Sequence, residues 1–200
     1  MASTFVNNLR LEEMNTGEQS GQWGTKTNTN LELVGEALGF GTQAVFDSDA
    51  DKTTTVADAA SDPARAIYFK VTGSATLSAT RTLTIAPNDM KRLQFIENAT
   101  TGSQSIQISQ GSGAKVTIPN GQVKAVYLDG GGSSAAVVDA FAHLSAVDLT
   151  VDDDLIVGDD VTLKSDSAVL GFGADTDTTL THTDGTGLTL NGTNKLTFGD

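Results

Sequence analysis

The chain has 200 residues, of which 38% are hydrophobic and none is cysteine, and its 12 basic and 25 acidic residues give a formal net charge of −13. This length suits one or two domains with a real core, and the lack of cysteine excludes disulfide frameworks and thiolate metal sites. An acidic surface repels phosphate groups, so we expect neither nucleic acid nor an anionic membrane surface as a partner.

The two chain ends carry further expectations. Residues 1–5 lack the basic and apolar regions of a cleaved signal, and no apolar run is long enough to span a membrane. We therefore expect a protein that is made in a cytoplasm and has no membrane insertion. The sequence reaches Asp200 on a turn signal in mid-pattern, so we expect the biological chain to continue.

The first element in chain order is a short helix. Residues 27–30, Thr-Asn-Thr-Asn, offer side-chain oxygens for the N-cap, and Leu31, Val34 and Leu38 recur at helical spacing. Gly39 follows them at the position that ends many helices. The pattern predicts a helix of about two to three turns, which is marginal on its own.

Residues 1–42 are therefore predicted to form an N-terminal domain whose apolar residues need a surface to pack on. Trp23 and the apolar face of the helix need a surface to pack on, and few other apolar residues are present in this segment. The segment is either a small cap folded back on the next domain or a docking peg for a partner protein. The docking interpretation assigns the partner contacts to Trp23, Leu31, Val34 and Leu38.

Residues 43–142 show an all-β pattern. Short stretches of alternating apolar residues follow one another about every 8 to 12 residues with turn residues between them, which favours an antiparallel β-sandwich. The predicted strands are 44–46, 53–57, 66–72, 75–78, 82–86, 92–98, 105–109, 115–119, 123–129 and 136–141. Alternation is visible at Ile67/Phe69/Val71, Leu83/Ile85, Leu93/Phe95, Ile106/Ile108, Val116/Ile118 and Val123/Ala125/Tyr127.

Residues 143–200 are predicted to form a neck followed by a repetitive shaft. Triplets of the form apolar, Thr, apolar recur between Gly, Asp and Asn turns, and strands this short do not close a core alone. Copies of the chain could share the buried face, as a trimeric triple β-helix or β-prism. The predicted shaft core consists of Leu149, Val151, Leu155, Val157, Val161, Leu163, Leu188, Leu190, Leu196 and Phe198.

The acidity of the chain is concentrated in the shaft. Residues 147–200 contain 11 Asp and two Lys, a net charge of 2 − 11 = −9, which leaves −4 for residues 1–146. Charged turns and edges discourage sideways aggregation of a repetitive β surface. Cation binding by residues 152–154 and 159–160 is the alternative, and it requires threefold symmetry to bring copies of these turns together.

One acidic cluster has the spacing of a calcium loop. Asp47, Asp49, Asp51 and Asp58 take positions 1, 3, 5 and 12, but Lys52 stands where such a loop needs Gly. The spacing therefore favours an ordinary acidic turn.

No other pattern predicts catalysis or a bound cofactor. His143 and His182 lie in unlike contexts, no G-x-S-x-G motif occurs, and Lys115 after Gly111 and Gly113 opens a strand rather than a helix. We expect a structural or interaction protein without enzyme activity, cofactor or metal.

Three stretches taken together resemble the tail fibre proteins of tailed bacteriophages, especially marine ones. Residues 9–33, with Gly17, Gly21, Trp23 and Gly24, resemble the N-terminal segment of those fibres. Residues 64–140 are similar to a β domain found in the same proteins. The Leu-Thr-Val and Asp-Gly-Thr-Gly-Leu-Thr-Leu repeats after residue 147 resemble their shafts.

The resemblance implies a homotrimeric virion protein that serves host attachment and adsorption. Residues 1–42 would dock on a tail protein of the adaptor or nozzle type, through the four predicted contact residues. Two further copies of the chain would complete the trimer, and the host surface would be reached only through a region beyond residue 200. The chain would be the proximal part of the fibre.

Two alternatives remain open at the level of sequence. The fibre could carry a polysaccharide-degrading domain further along, which paired carboxylates in a β-helix groove would reveal. The chain could instead be a capsid or baseplate decoration protein that trimerises through the β domain rather than the shaft. A bacterial adhesin, a third possibility, should carry an export signal, which these residues lack.

Overall fold

The computed structural model describes residues 2–165, 168–172, 178–183, 185 and 187–190. Contacts divide the chain into two compact units, Met1–Ser145 and Ala146–Asp200. The fold is mainly β with one long helix in the first unit. No helix in the described part of the chain has the length and apolar character needed to cross a membrane.

Helix α1(Trp23–Ala37) is longer than its sequence signals predicted. The predicted N-cap residues 27–30 lie inside it, and the helix instead follows Gly21, whose φ of +76° permits the tight turn before Gln22. The C-terminal end agrees with the prediction, because Leu38 is the C-cap and Gly39 follows it. The helix buries Leu33 and Ala37, which provide the tertiary packing that propensity alone could not.

The residues before α1 are tied both to the helix and to the β domain. Asn30 pairs with the backbone of Glu12 through both of its amide atoms, at 3.0 and 2.9 Å. Arg10 Nε lies 2.7 Å from an oxygen of Asp58, and Asn8 accepts from the backbone N–H of Lys91 at 2.8 Å. The N-terminal segment therefore folds back on the next domain, as one of the two sequence interpretations held.

Nine strands follow α1 in the first unit. They coincide with most of the predicted strands, although the predicted strand 75–78 is absent and only Thr76 makes an isolated bridge, to Thr101. The strands are β1(Phe40–Phe46), β2(Lys52–Thr55), β3(Tyr68–Gly73), β4(Arg81–Ala86), β5(Lys91–Asn98), β6(Ile106–Ser109), β7(Val116–Ile118), β8(Val123–Asp129) and β9(Val137–Asp139).

The chain alternates between two sheets, with strand orders β1-β3-β5-β8-β9 and β2-β4-β6-β7. The prediction of an antiparallel arrangement is wrong for the first six strands, since β1, β3 and β5 are mutually parallel, as are β2, β4 and β6. From β1 to β5, each strand is followed in the chain by a strand of the other sheet. Among the first six strands, neighbours within one sheet are therefore separated by a full coil of the chain, and they run in the same direction. Antiparallel pairing in the first unit begins where β7 pairs with β6 and β8 pairs with β5, and it continues between β8 and β9.

One hydrophobic core lies between the two sheets, as a sandwich requires. The five-stranded sheet contributes Phe69, Val71 and Ile96, and the four-stranded sheet contributes Leu83 and Ile108 among others. In β5 and β8 the buried residues are not the alternating sets read from the sequence, except that Ala125 is buried on the outer side of β8. The core receives Val126 and Leu128 instead, and Leu93/Phe95 and Val123/Ala125/Tyr127 lie on the opposite face of their strands.

The second unit contains a three-stranded antiparallel sheet of β10(Val169–Phe172), β11(Thr178–Thr183) and β12(Gly187–Leu190), in that order. The predicted triplet at 188–190 lies in β12. The prediction of strands at 149–151, 155–157 and 161–163 is wrong for this single chain, because the described residues 146–165 contain no strand. The predicted shaft residues Leu196 and Phe198 lie outside the described residues.

Candidate interaction surfaces

The exposed face of α1 carries the residues predicted to dock on a partner. Trp23, Leu31 and Leu38 are 65%, 65% and 74% exposed, and Val34 is half-buried. At 3.6 residues per turn these four positions occupy roughly 80° of the helix circumference. The structure therefore brings the predicted residues together on one side of the helix, where three of them face water.

A neighbouring side of α1 is anchored by a partly buried ion pair as well as by packing. Lys26 Nζ lies 2.9 Å from Glu12 Oε2, and the Glu12 side chain is almost fully buried. The hydrogen bond from Lys26 holds the pKa of Glu12 below its ordinary value, with further donation from Ser3 and Gln19. This side fixes the helix to the N-terminal segment and leaves the apolar face presented outward.

The predicted shaft residues of segment 146–165 form the second apolar surface. All six are between 42% and 72% exposed, although each is a large aliphatic side chain. They are Leu149, Val151, Leu155, Val157, Val161 and Leu163. A single chain therefore leaves the predicted shaft core in water in this segment.

The calcium-like spacing does not produce a shared site. Asp49 pairs with Arg81 at 2.7 Å, and this contact, together with the Ser78 hydroxyl, holds the pKa of Asp49 well below its usual range. Asp58 pairs with Arg10, and Asp47 pairs with Lys52. Asp51 accepts from the backbone N–H of Thr82 at 2.8 Å, so the four carboxylates have separate partners, and among the described residues no group of three metal-ligating side chains comes together.

A buried pair of arginines was not singled out by the sequence reasoning. Arg65 is fully buried and donates through Nη2 to the carbonyl oxygens of Ala57 and Ala60, at 2.6 and 2.8 Å. Arg92 donates to the carbonyl of Arg65, and burial lowers the pKa of Arg92 to about 10, with the charge of Arg65 adding to the effect. The sequence offered no signal for it, because the alternation at Leu93 and Phe95 suggested that Arg92 and Gln94 point outward, whereas the structure places them at inward positions of β5.

A pocket of about 300 Å³ opens where α1 meets β1. Its wall includes Glu36, Asp62 and Phe40. Both carboxylates already have backbone partners, since Asp62 accepts from Ala64 N at 2.8 Å and Glu36 accepts from Asp62 N at 3.3 Å. The acidic groups of the pocket therefore serve the local fold.

No family model, curated protein or solved structure matches this chain. Its function must therefore be argued from the surfaces themselves. Two sets of exposed apolar side chains contain the predicted contact residues: the exposed side of α1 and the aliphatic series of residues 146–165. Both are of a kind that soluble chains normally cover with a partner.

Proposed function

We propose that this chain is the proximal part of a homotrimeric phage tail fibre, a structural virion protein that docks on the tail and links it to a distal host-contacting region. The observation that carries the proposal is the exposed aliphatic series of residues 146–165. These side chains were predicted from the sequence as the core of a shaft shared by three chains, and the single chain leaves them in water.

Burial of these aliphatic side chains favours assembly of identical chains. Removing apolar surface from water stabilises by roughly 25 cal/mol per Å², so each large aliphatic side chain that becomes buried contributes about 1.5 to 3 kcal/mol. A segment of 20 residues without a strand, 146–165, cannot bury its own side chains against itself. Closed rotational symmetry would place the same series from three copies around one axis and bury all of them together.

Docking on the tail is assigned to the exposed side of α1. The helix is held along a neighbouring side by Leu33, Ala37 and the Glu12–Lys26 ion pair, which leaves its apolar face open to water. Trp23 is the kind of large aromatic side chain that often dominates binding energy at an interface. The resemblance of residues 9–33 to fibre N-terminal segments supports the same assignment.

The molecular mass in solution tests the trimer. A chain of 20.7 kDa should sediment as three copies, and dilution should lower the thermal midpoint of the second unit because subunit association shifts stability by mass action. Light scattering and thermal unfolding followed by circular dichroism, both over a range of protein concentrations, provide the measurements. A monomer in which residues 146–200 are folded at every concentration would rule the proposal out.

A further inference from the structure

The outer face of the five-stranded sheet is an apolar surface that the core does not use. Alternation along the strands turns Phe40, Tyr68 and Phe95 away from the core, and strand register places them in one row across β1, β3 and β5. The rings of Phe40 and Tyr68 stack with their centroids 5.4 Å apart. This row is the first half of what we name the aromatic face.

A second row of apolar side chains extends the aromatic face on the same outer face of the sheet, across strands β5, β8 and β9. Leu93, Tyr127 and Val138 lie opposite one another on β5, β8 and β9. They are 44%, 42% and 48% exposed. Apolar side chains in adjacent strands therefore cover this face from one edge of the sheet to the other, with Phe40, Leu93, Tyr127 and Val138 exposed and Tyr68 and Phe95 half-buried.

The four-stranded sheet of the same domain provides an internal comparison. Its outward positions are mostly polar, at Thr53, Thr55, Thr82, Thr84, Gln107 and Thr117, and Ala86 is a small apolar exception. Register places Thr53 beside Thr84, and Thr82 beside Gln107. One sheet thus has an outer face suited to water, and the other has an outer face suited to a partner.

Charge on the aromatic face favours a second copy of this chain over a basic partner. The charged residues at its outward positions are Lys70, Lys91, Glu97 and Asp129, so the face sums to 2 − 2 = 0 in a chain of net charge −13. Lys70 Nζ lies 2.9 Å from Glu97 Oε1, so this central pair is already neutralised within the chain. The acidic surfaces outside the aromatic face repel other copies of the chain, so copies approach each other best at this neutral face. A basic partner would gain more binding energy at the acidic surfaces than at this face.

The path of the chain joins the aromatic face to the exposed aliphatic series. Strand β9 forms one edge of the five-stranded sheet, and the chain leaves it through Phe141 and Leu144, which are 56% and 65% exposed. Residue 146 follows directly. Association of residues 146–165 from three copies would hold three aromatic faces at high effective concentration, so that even a weak contact between them would form.

We propose that the aromatic face packs against two further copies of this chain and forms the proximal part of the trimer interface. This inference rests on the proposed homotrimer and names the surface that the β domain contributes to it. The β domain then contributes directly to the trimer interface, in addition to the shaft.

Matched charge substitutions on the two outer faces test the proposal in the full chain. Tyr127→Glu places three like charges in the interface, and we expect it to raise the concentration of half-dissociation by at least about tenfold. Thr84→Glu makes the same change in charge on the four-stranded sheet and should leave that concentration unchanged. Sedimentation over a dilution series gives the measurement, with circular dichroism as the check on folding.

Single cysteines provide a second readout that does not depend on a destabilising charge. The chain contains no cysteine, so Tyr127→Cys and Val138→Cys each introduce one thiol on the aromatic face, and Thr84→Cys introduces one on the other sheet. A short bismaleimide reagent should produce covalent dimers from the first two variants and not from the third. This result would support the proposal even if Tyr127→Glu failed to fold.

The outcomes separate this inference from the proposed function. A trimer that Tyr127→Glu leaves intact, with no covalent dimers from either cysteine on the aromatic face, would overturn the inference while the trimer itself stands. That result would also follow if a tail protein or residues 146–200 of the same chain covered the face. A wild-type chain that remains a monomer at every concentration would overturn both proposals.

Discussion

Arg65 carries a full charge into the interior, which is costly unless its hydrogen bonds are satisfied. It lies under the loop before β3, where it donates to the carbonyl oxygens of Ala57 and Ala60, and the Glu36 carboxylate lies 3.8 Å from its Nε. The side chain therefore clamps this loop internally, and the link to the five-stranded sheet is made by Arg92 and Gln94 of β5, which donate to the carbonyl oxygens of residues 64–66. Its role is structural, and no sequence motif marks it.

Arg65→Met should destabilise the first unit by about 2 to 4 kcal/mol, because the carbonyl oxygens of Ala57 and Ala60 lose a charged donor. The same substitution at Arg81, which is partly exposed and paired with Asp49, should cost at most about 1 kcal/mol. Urea denaturation gives both values. Equal losses at the two positions would show that Arg65 does not clamp the loop.

Helix α1 shows that local sequence signals can fix one end of a helix while tertiary contacts fix the other. The existence of the helix and its C-terminal end were predictable, since apolar spacing and Gly39 are local features. The N-terminal end was not, because the turns of helix from Trp23 to Asn30 are stabilised by the partners of Lys26 and Asn30 on Glu12, far away in sequence. Asn and Thr side chains that could cap a helix can equally lie within one.

Docking through α1 is testable with exposed residues of the same helix. Trp23→Ala combined with Leu31→Ala should give particles without fibres, while the thermal midpoint of the chain stays the same because both side chains are exposed. Glu32→Ala on another side of α1 should leave incorporation unchanged. Fibre content of purified particles, measured by immunoblot, decides the matter, and normal fibre content in the double variant would refute docking by this face.

Two glycines near the point where α1 meets β1 should respond in opposite ways to substitution by alanine. A Cβ on Gly41 would lie 2.1 Å from the carbonyl oxygen of Pro63, so Gly41→Ala should destabilise by about 1 to 3 kcal/mol or more. Gly35, inside the exposed part of α1, has no atom within 4 Å of that position, and Gly35→Ala should stabilise by about 0.5 to 1 kcal/mol. Thermal unfolding reports both signs, and a stabilising Gly41→Ala would contradict the packing of β1 on the 63–65 turn.

At the scale of the whole molecule, the fold of the first unit relies on hydrogen bonds that basic side chains or backbone N–H groups donate to carboxylates. Six carboxyl groups have their pKa values lowered on folding: Glu12, Glu18, Asp47, Asp49, Glu97 and Asp139. The leading cause is a hydrogen bond from Lys or Arg in every case except Glu18, where it is the backbone N–H of Asn15. A chain of net charge −13 thus uses much of its limited basic content to fix its fold.

The sign of the pH dependence follows from these lowered pKa values. A carboxyl group with a folded pKa below its unfolded value stabilises the fold above the unfolded pKa, and this contribution is lost as pH falls through the folded pKa. The free energy of unfolding of the first unit should therefore decrease steadily as pH falls below about 4.5. Urea denaturation at a series of pH values tests this, and Glu12→Gln should show a shallower decrease. A stability that rises on acidification would contradict the ion pairs described here.

The sequence by itself determined the mainly β class, most strand positions, the helix, and the apolar residues that a single chain cannot cover. These features are local, since alternation, turn residues and helical spacing act over a few neighbouring positions. Only the tertiary structure decided the direction of the strands and which side of β5 and β8 is buried. In β5 the outward Leu93 and Phe95 and the inward Ile96 are all apolar, so alternation does not select a face, and partners distant in sequence make the choice. Parallel pairing arises in the same way, because each strand crosses to the other sheet before its neighbour returns one coil later.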